Sequence, residues 1–168
     1  MDISVRREGD VYVADWGEGV RRCAVGHAGI GVKQREGDGL TPIGIWPLRQ
    51  VLYRVDRLAR PATALPVAPI DQDQAWCDVQ DDPNYNRLVH LPYASLDERL
   101  WREDSLYDII VVVGYNDAPV VPGKGSAIFL HLARPDYGPT AGCVALPRED
   151  LLQALAQAGL SSRLAVQG

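Results

Sequence analysis

The sequence predicts a mainly β domain carrying one or two short helices. Strand-like segments, alternating or rich in β-branched and aromatic residues, recur along the whole chain, 16 Gly and 12 Pro punctuate the gaps, and only one stretch carries a full set of helix signals. At 168 residues, one domain buries roughly 70% of the surface its unfolded chain exposes. No repeat, low-complexity tract or composition shift marks a boundary, so residues 1–168 are expected to form a single domain.

Residues 3–7 and 11–15 alternate apolar and polar side chains around Glu8-Gly9-Asp10, the spacing of a β-hairpin. Strands are expected again over 22–25, 44–55, 107–115, 128–132 and 163–166. Within 107–115 the run Ile109-Ile110-Val111-Val112-Val113 is continuously apolar, which predicts a strand covered on both faces. The segment 61–69, with Pro at both ends, reads as a surface loop, and 96–101 as a second, short helix. The clear helix opens at Pro147, has acids in its first turn, runs through Asp150, Leu151, Leu152 and Leu155, and stops at Gly159.

Apolar residues make up 46% of the chain and charged residues 23%, the balance of an ordered domain. A net charge of −5 repels a phosphate backbone overall, so no nucleic-acid partner is expected. No stretch approaches the ~20 apolar residues of a membrane span. The opening Met1-Asp2-Ile3-Ser4-Val5-Arg6-Arg7-Glu8 lacks the apolar region of a signal peptide. Cys23, Cys77 and Cys143 are odd in number and widely spaced, unlike a disulfide framework or a C-x-x-C metal site. Together these predict a cytoplasmic protein, or a periplasmic one if a leader has been removed, with no metal or other cofactor.

The densest chemistry lies in Phe129-Leu130-His131-Leu132 and Thr140-Ala141-Gly142-Cys143. Cysteine attacks as the thiolate, so a thiol of ordinary pKa about 8.5 needs a neighbouring base, which His131 supplies. Gly142 removes side-chain bulk beside the sulfur, and the turn of Thr140, Gly142 and Cys143 offers backbone N–H groups to an oxyanion.

These residues resemble the signature of the YkuD-type L,D-transpeptidases, a His at a strand end followed by Ser or Thr and then Gly-Cys. Gly37-Asp38-Gly39-Leu40-Thr41-Pro42-Ile43-Gly44 resembles that family's Gly-Asp-x-x-Thr-Pro-x-Gly loop. Two elements in the right order extend the resemblance over residues 3–166. Departures are Ala141 in place of a second His, Ala145 in place of Arg or Asn, and a short interval of eleven residues between His131 and Cys143. The resemblance implies a β-sandwich or barrel of mixed strands with a helix after the catalytic Cys. It also implies a cysteine acyl-transfer enzyme acting on peptidoglycan stem peptides or muropeptides.

Among the other candidates, Cys23 reads as a buried apolar side chain and Cys77 as part of a loop running to Arg87. Asp38 and Thr41 fit a Pro-containing turn first and a site wall second, while Arg134 suits a substrate carboxylate through its planar fork. Trp76 and Arg87 are further expected substrate contacts. His27 and His90 have no motif around them. A zinc site drawn from Cys77, His90, His131 and Cys143 matches no common ligand spacing.

The implied donor is a stem peptide in which Cys143 attacks the diaminopimelate carbonyl and D-Ala departs. Water as acceptor gives an L,D-carboxypeptidase of murein recycling, the outcome expected without a leader. An amine gives a periplasmic cross-linking transpeptidase. A muropeptide-binding module without activity is the alternative of another class, disfavoured because both His131 and Cys143 are present.

Overall fold

The computed structural model describes residues 1–93 and 98–168. β1 (Asp2–Glu8) and β2 (Val11–Asp15) form the expected hairpin, with Val5 opposite Ala14, and β3 (Arg21–Cys23) pairs with β2. β4 (Ile30–Gly31) and β5 (Thr41–Pro42) pair in parallel and bracket the Gly-Asp loop. The long β6 (Gly44–Tyr53) carries β7 (Val67–Pro69) on part of its length. β8 (Gln74–Trp76) and β9 (Leu88–His90) make a small antiparallel pair. β10 (Ile109–Val113), β11 (Phe129–Leu132), β12 (Val144–Leu146), α1 (Arg148–Gln157) and β13 (Arg163–Val166) complete the chain.

The main sheet runs β12-β11-β10-β6-β13-β1-β2-β3. Just past β3, Ala24 and Ala145 exchange two backbone hydrogen bonds of 2.9 Å, joining the first and last strands into a nearly closed barrel. Closure removes the sheet edges that would otherwise recruit foreign strands. All five residues of β10 are buried, as the unbroken apolar run requires. Ile109, Val111 and Val113 join Leu130, Leu132 and Leu164 in the main core, whereas Ile110 and Val112 join Phe129, Leu52 and Leu100 in a second cluster on the other face. Strand periodicity of two produces this division. α1 packs Leu151, Ala154 and Leu155 onto the main core, with Glu149 and Asp150 in its first turn.

Several expectations need correction. The segment 61–69 is not wholly a surface loop, because Leu65 enters the main core and β7 pairs with β6. β8 lies outside the set of expected strands. The second helix expected over 96–101 begins outside the described residues, and its described part is not helical, since Arg99 forms an antiparallel bridge to Ala75. β6 stops at Tyr53 instead of reaching residue 55, where the N–H groups of Arg57 and Leu58 turn back to the Arg54 carbonyl.

Candidate active site

Cys143 stands between a glycine turn and β12, and His131 lies on the parallel neighbour β11, opposite Ala145. Alternation along β11 sends Leu130 and Leu132 into the barrel, leaving Phe129 and His131 on the face where Cys143 sits. A cavity of about 280 Å³ opens there, lined by both residues together with Tyr107, Thr140 and Arg134.

The turn before the thiol is fixed from three sides. Thr140 Oγ1 donates to the Cys143 carbonyl at 2.7 Å and accepts the Gly142 N–H at 3.1 Å. Thr41, fully buried, donates to the Gly142 carbonyl at 2.9 Å and accepts the Gly26 N–H at 2.8 Å. Gly142 adopts φ +144°, and a Cβ there would stand 3.0 Å from the Leu40 carbonyl oxygen. The glycine is thus required by the neighbouring loop, not only by access to the sulfur. The Gly142 N–H is thus already engaged within the turn.

Cys143 Sγ donates to the Ala127 carbonyl at 3.2 Å and receives the Phe129 N–H at 3.4 Å. Burial pushes its pKa up to about 12, with the Phe129 N–H opposing. Burial likewise pushes His131 down to about 4, opposed by its hydrogen bond to the Leu132 carbonyl and aided by the charges of Arg102 and Arg134. That bond, from Nδ1 at 2.9 Å, fixes the tautomer with the proton on Nδ1 and leaves Nε2 as acceptor. The pair is therefore a neutral thiol beside a neutral imidazole. Among the described residues no hydrogen bond joins them, so the thiol must rotate off Ala127 to deliver its proton.

Tyr107 meets the His131 ring edge-on, 5.2 Å between centroids, and its hydroxyl donates to Glu98. Arg102 stacks over Tyr107 at 5.1 Å and pairs with Asp104 at 2.6 Å. Tyr107, Glu98 and Arg102, with Lys33, Glu36 and Ser126, line the cavity. Nothing in their sequence surroundings marks them, apart from Tyr107 opening the apolar run of β10.

Arg134 lines the cavity, and its guanidinium has no hydrogen-bond or ion-pair partner among the described residues. Asp38 and Thr41 are not on the cavity wall. Burial disfavours the Asp38 charge, yet Lys33 and the N–H groups of Gln34, Leu40 and Arg35 hold its pKa down to about 2, making it the organiser of its turn. Trp76 and Arg87 line a different cavity, of about 260 Å³, because the indole N–H is held at 2.9 Å by Asn86 and the ring lies edge-on to Phe129. Cys23 and Cys77 are buried in two other clusters, and burial raises both thiols, Cys23 to about 12. His27 is exposed near the Thr140 carbonyl, and exposed His90 meets Asp73 at 3.2 Å. Of the drawn zinc quartet, His131 and Cys143 share the cavity, whereas Cys77 and His90 are not among its lining residues.

A buried thiol and an oriented imidazole in one cavity of a β-barrel define the class, a candidate cysteine acyl-transfer site. Residues 2–165 match the L,D-transpeptidase catalytic domain family, YkuD, and the chain belongs to it. Comparison with curated proteins found no match. Membership makes the protein an L,D-transpeptidase-type cysteine acyltransferase that acts on peptidoglycan stem peptides.

Proposed function

We propose that the protein is an L,D-carboxypeptidase that shortens a tetrapeptide stem to a tripeptide, with Cys143 as nucleophile and His131 as acid and base. The Cys143 thiol gives its proton to His131 Nε2 as the sulfur attacks the diaminopimelate carbonyl, and the Cys143 N–H faces the resulting oxyanion. The C–N bond then breaks, the D-Ala amine leaves with the proton from His131, and a thioester remains. Water, deprotonated by the same imidazole, attacks that thioester and releases tripeptide and free thiol.

The observation that carries the choice of water is the charge beside His131. Arg134 and Arg102 bring two guanidinium groups to the cavity, and both act on the imidazole. They attract the carboxylate of the departing D-Ala and disfavour an incoming ammonium, the resting form of an acceptor amine, relative to uncharged water. The same reading assigns the enzyme to the cytoplasm among soluble muropeptides. Cell fractionation tests this, since native protein in the periplasmic fraction would return it to the exported cross-linkers.

Incubation with diaminopimelate tetrapeptide, with and without an amine acceptor, followed by mass spectrometry is the direct test. Tripeptide and free D-Ala with little dimer are expected. Mainly cross-linked dimer would make it a transpeptidase. Absence of both release and a carbapenem adduct on Cys143 would leave only a muropeptide-binding module.

A further inference from the structure

The cavity also holds charged groups that acyl transfer leaves unused, gathered round Gly125. Gly125 has φ +128°, and a Cβ there would fall 2.4 Å from Lys33 Cε, so the lysine stem lies directly against this backbone. The Gly125 N–H donates to the Tyr85 hydroxyl at 2.9 Å, and that hydroxyl donates in turn to the Glu36 carboxylate. Glu36 is held a second time by its own N–H on the Gly123 carbonyl at 2.7 Å. Next in the chain, Ser126 is only 7% exposed. Its Oγ lies near Tyr85 but outside hydrogen-bond geometry, and it has no partner among the described residues. Lys33 is 6% exposed and gives one of its three ammonium donors to Asp38 at 2.6 Å.

Lys33, Glu36 and Ser126 all face the cavity that holds Cys143. A buried hydroxyl without a partner is costly, and a ligand donor placed on it removes the cost. A cation, a carboxylate and an open acceptor in one wall complement a group bearing ammonium and carboxylate on the same carbon. We propose that this wall is a subsite for an α-amino-acid headgroup, with the ammonium on Glu36 and Ser126 and the carboxylate on Lys33. Resting on the peptidoglycan reading above, the headgroup is the free amino-carboxylate end of the diaminopimelate side chain. A lysine in that place keeps the ammonium and lacks the carboxylate.

The test compares D-Ala release from three tetrapeptides, one with diaminopimelate, one with lysine, and one with diaminopimelate acetylated on its side-chain amine. We expect kcat/KM for the first to exceed each of the others by roughly tenfold or more. Glu36→Gln and Ser126→Ala should shrink the preference over the acetylated peptide, and Lys33→Met the preference over lysine. A ratio of two substrates on one variant does not depend on how much of it is folded. Where Lys33→Met fails to fold, the wild-type series and Glu36→Gln decide. Release at similar rates from all three would overturn the subsite while leaving the acyl-transfer reading intact. Release from none would overturn that reading and the subsite with it.

Discussion

The Thr41 hydroxyl reaches the Gly142 carbonyl at 2.9 Å across 101 positions of sequence, tying the loop after Asp38 to the turn that presents Cys143. Thr41→Val keeps the shape and deletes the hydroxyl, leaving the Gly26 N–H and the Gly142 carbonyl short of a partner. A loss of about 1–3 kcal/mol is expected. For a chain of this size that lowers Tm by roughly 2–4 °C per kcal/mol. D-Ala release should fall further than the folded fraction, because the turn itself loosens. A calorimetric melt beside a rate measurement checks both.

Cys143→Ala should abolish D-Ala release, whereas Cys23→Ala and Cys77→Ala should retain most of it, since neither of those residues lines the cavity. Substantial turnover by Cys143→Ala would sink the assignment of the nucleophile.

His131→Ala should slow release by about 10²-fold or more, because thiol and leaving amine lose their proton carrier. In the wild type, kcat/KM should stay level through neutral pH and fall only as His131 gains a proton near its pKa of about 4. Stability obeys the same group. Its folded pKa is depressed from 6.5, so between pH 6.5 and 4 the unfolded chain binds more protons and stability is lost as pH falls, by about 3 kcal/mol in all. Denaturant melts from pH 8 down to 4 measure the slope, and His131→Ala should flatten it.

Arg134→Ala should raise KM for tetrapeptide by roughly tenfold or more, as expected for a lost charge-assisted hydrogen bond. The penalty should vanish on a substrate ending in D-alaninamide, which lacks the carboxylate. An equal penalty on acid and amide would exclude Arg134 from binding the D-Ala end.

How much of this was legible in the sequence depends on the range of the signal. The hairpin of β1 and β2, the buried β10 and α1 are written in periodicity and local caps. Cys143 and His131 are written in a short motif and its resemblance to a family. By contrast β12 has only three residues, and β4 and β5 only two each, too short to show a period. Lys33, Glu98, Arg102 and Ser126 come to the cavity by the path of the barrel, which no local pattern encodes. Trp76 and Arg87 are expected from the sequence as substrate contacts, yet neither lines the cavity of Cys143. Both line the second cavity, where Trp76 meets Phe129 edge-on.

The pair of bonds between Ala24 and Ala145 sits two residues from the thiol, and the flanking pairing of His27 with Thr140 sits three residues away on the other side. The Cys143 sulfur is therefore mounted on the closing stitch of the chain, where a strand near the beginning meets one near the end. A partly made molecule, or one whose first hairpin has peeled away, has every residue of the catalytic motif and no working geometry. Acylation of Cys143 by a slow covalent probe can thus serve as a chemical clock for completion of the fold, reporting on β1 to β3 although none of their side chains lines the cavity.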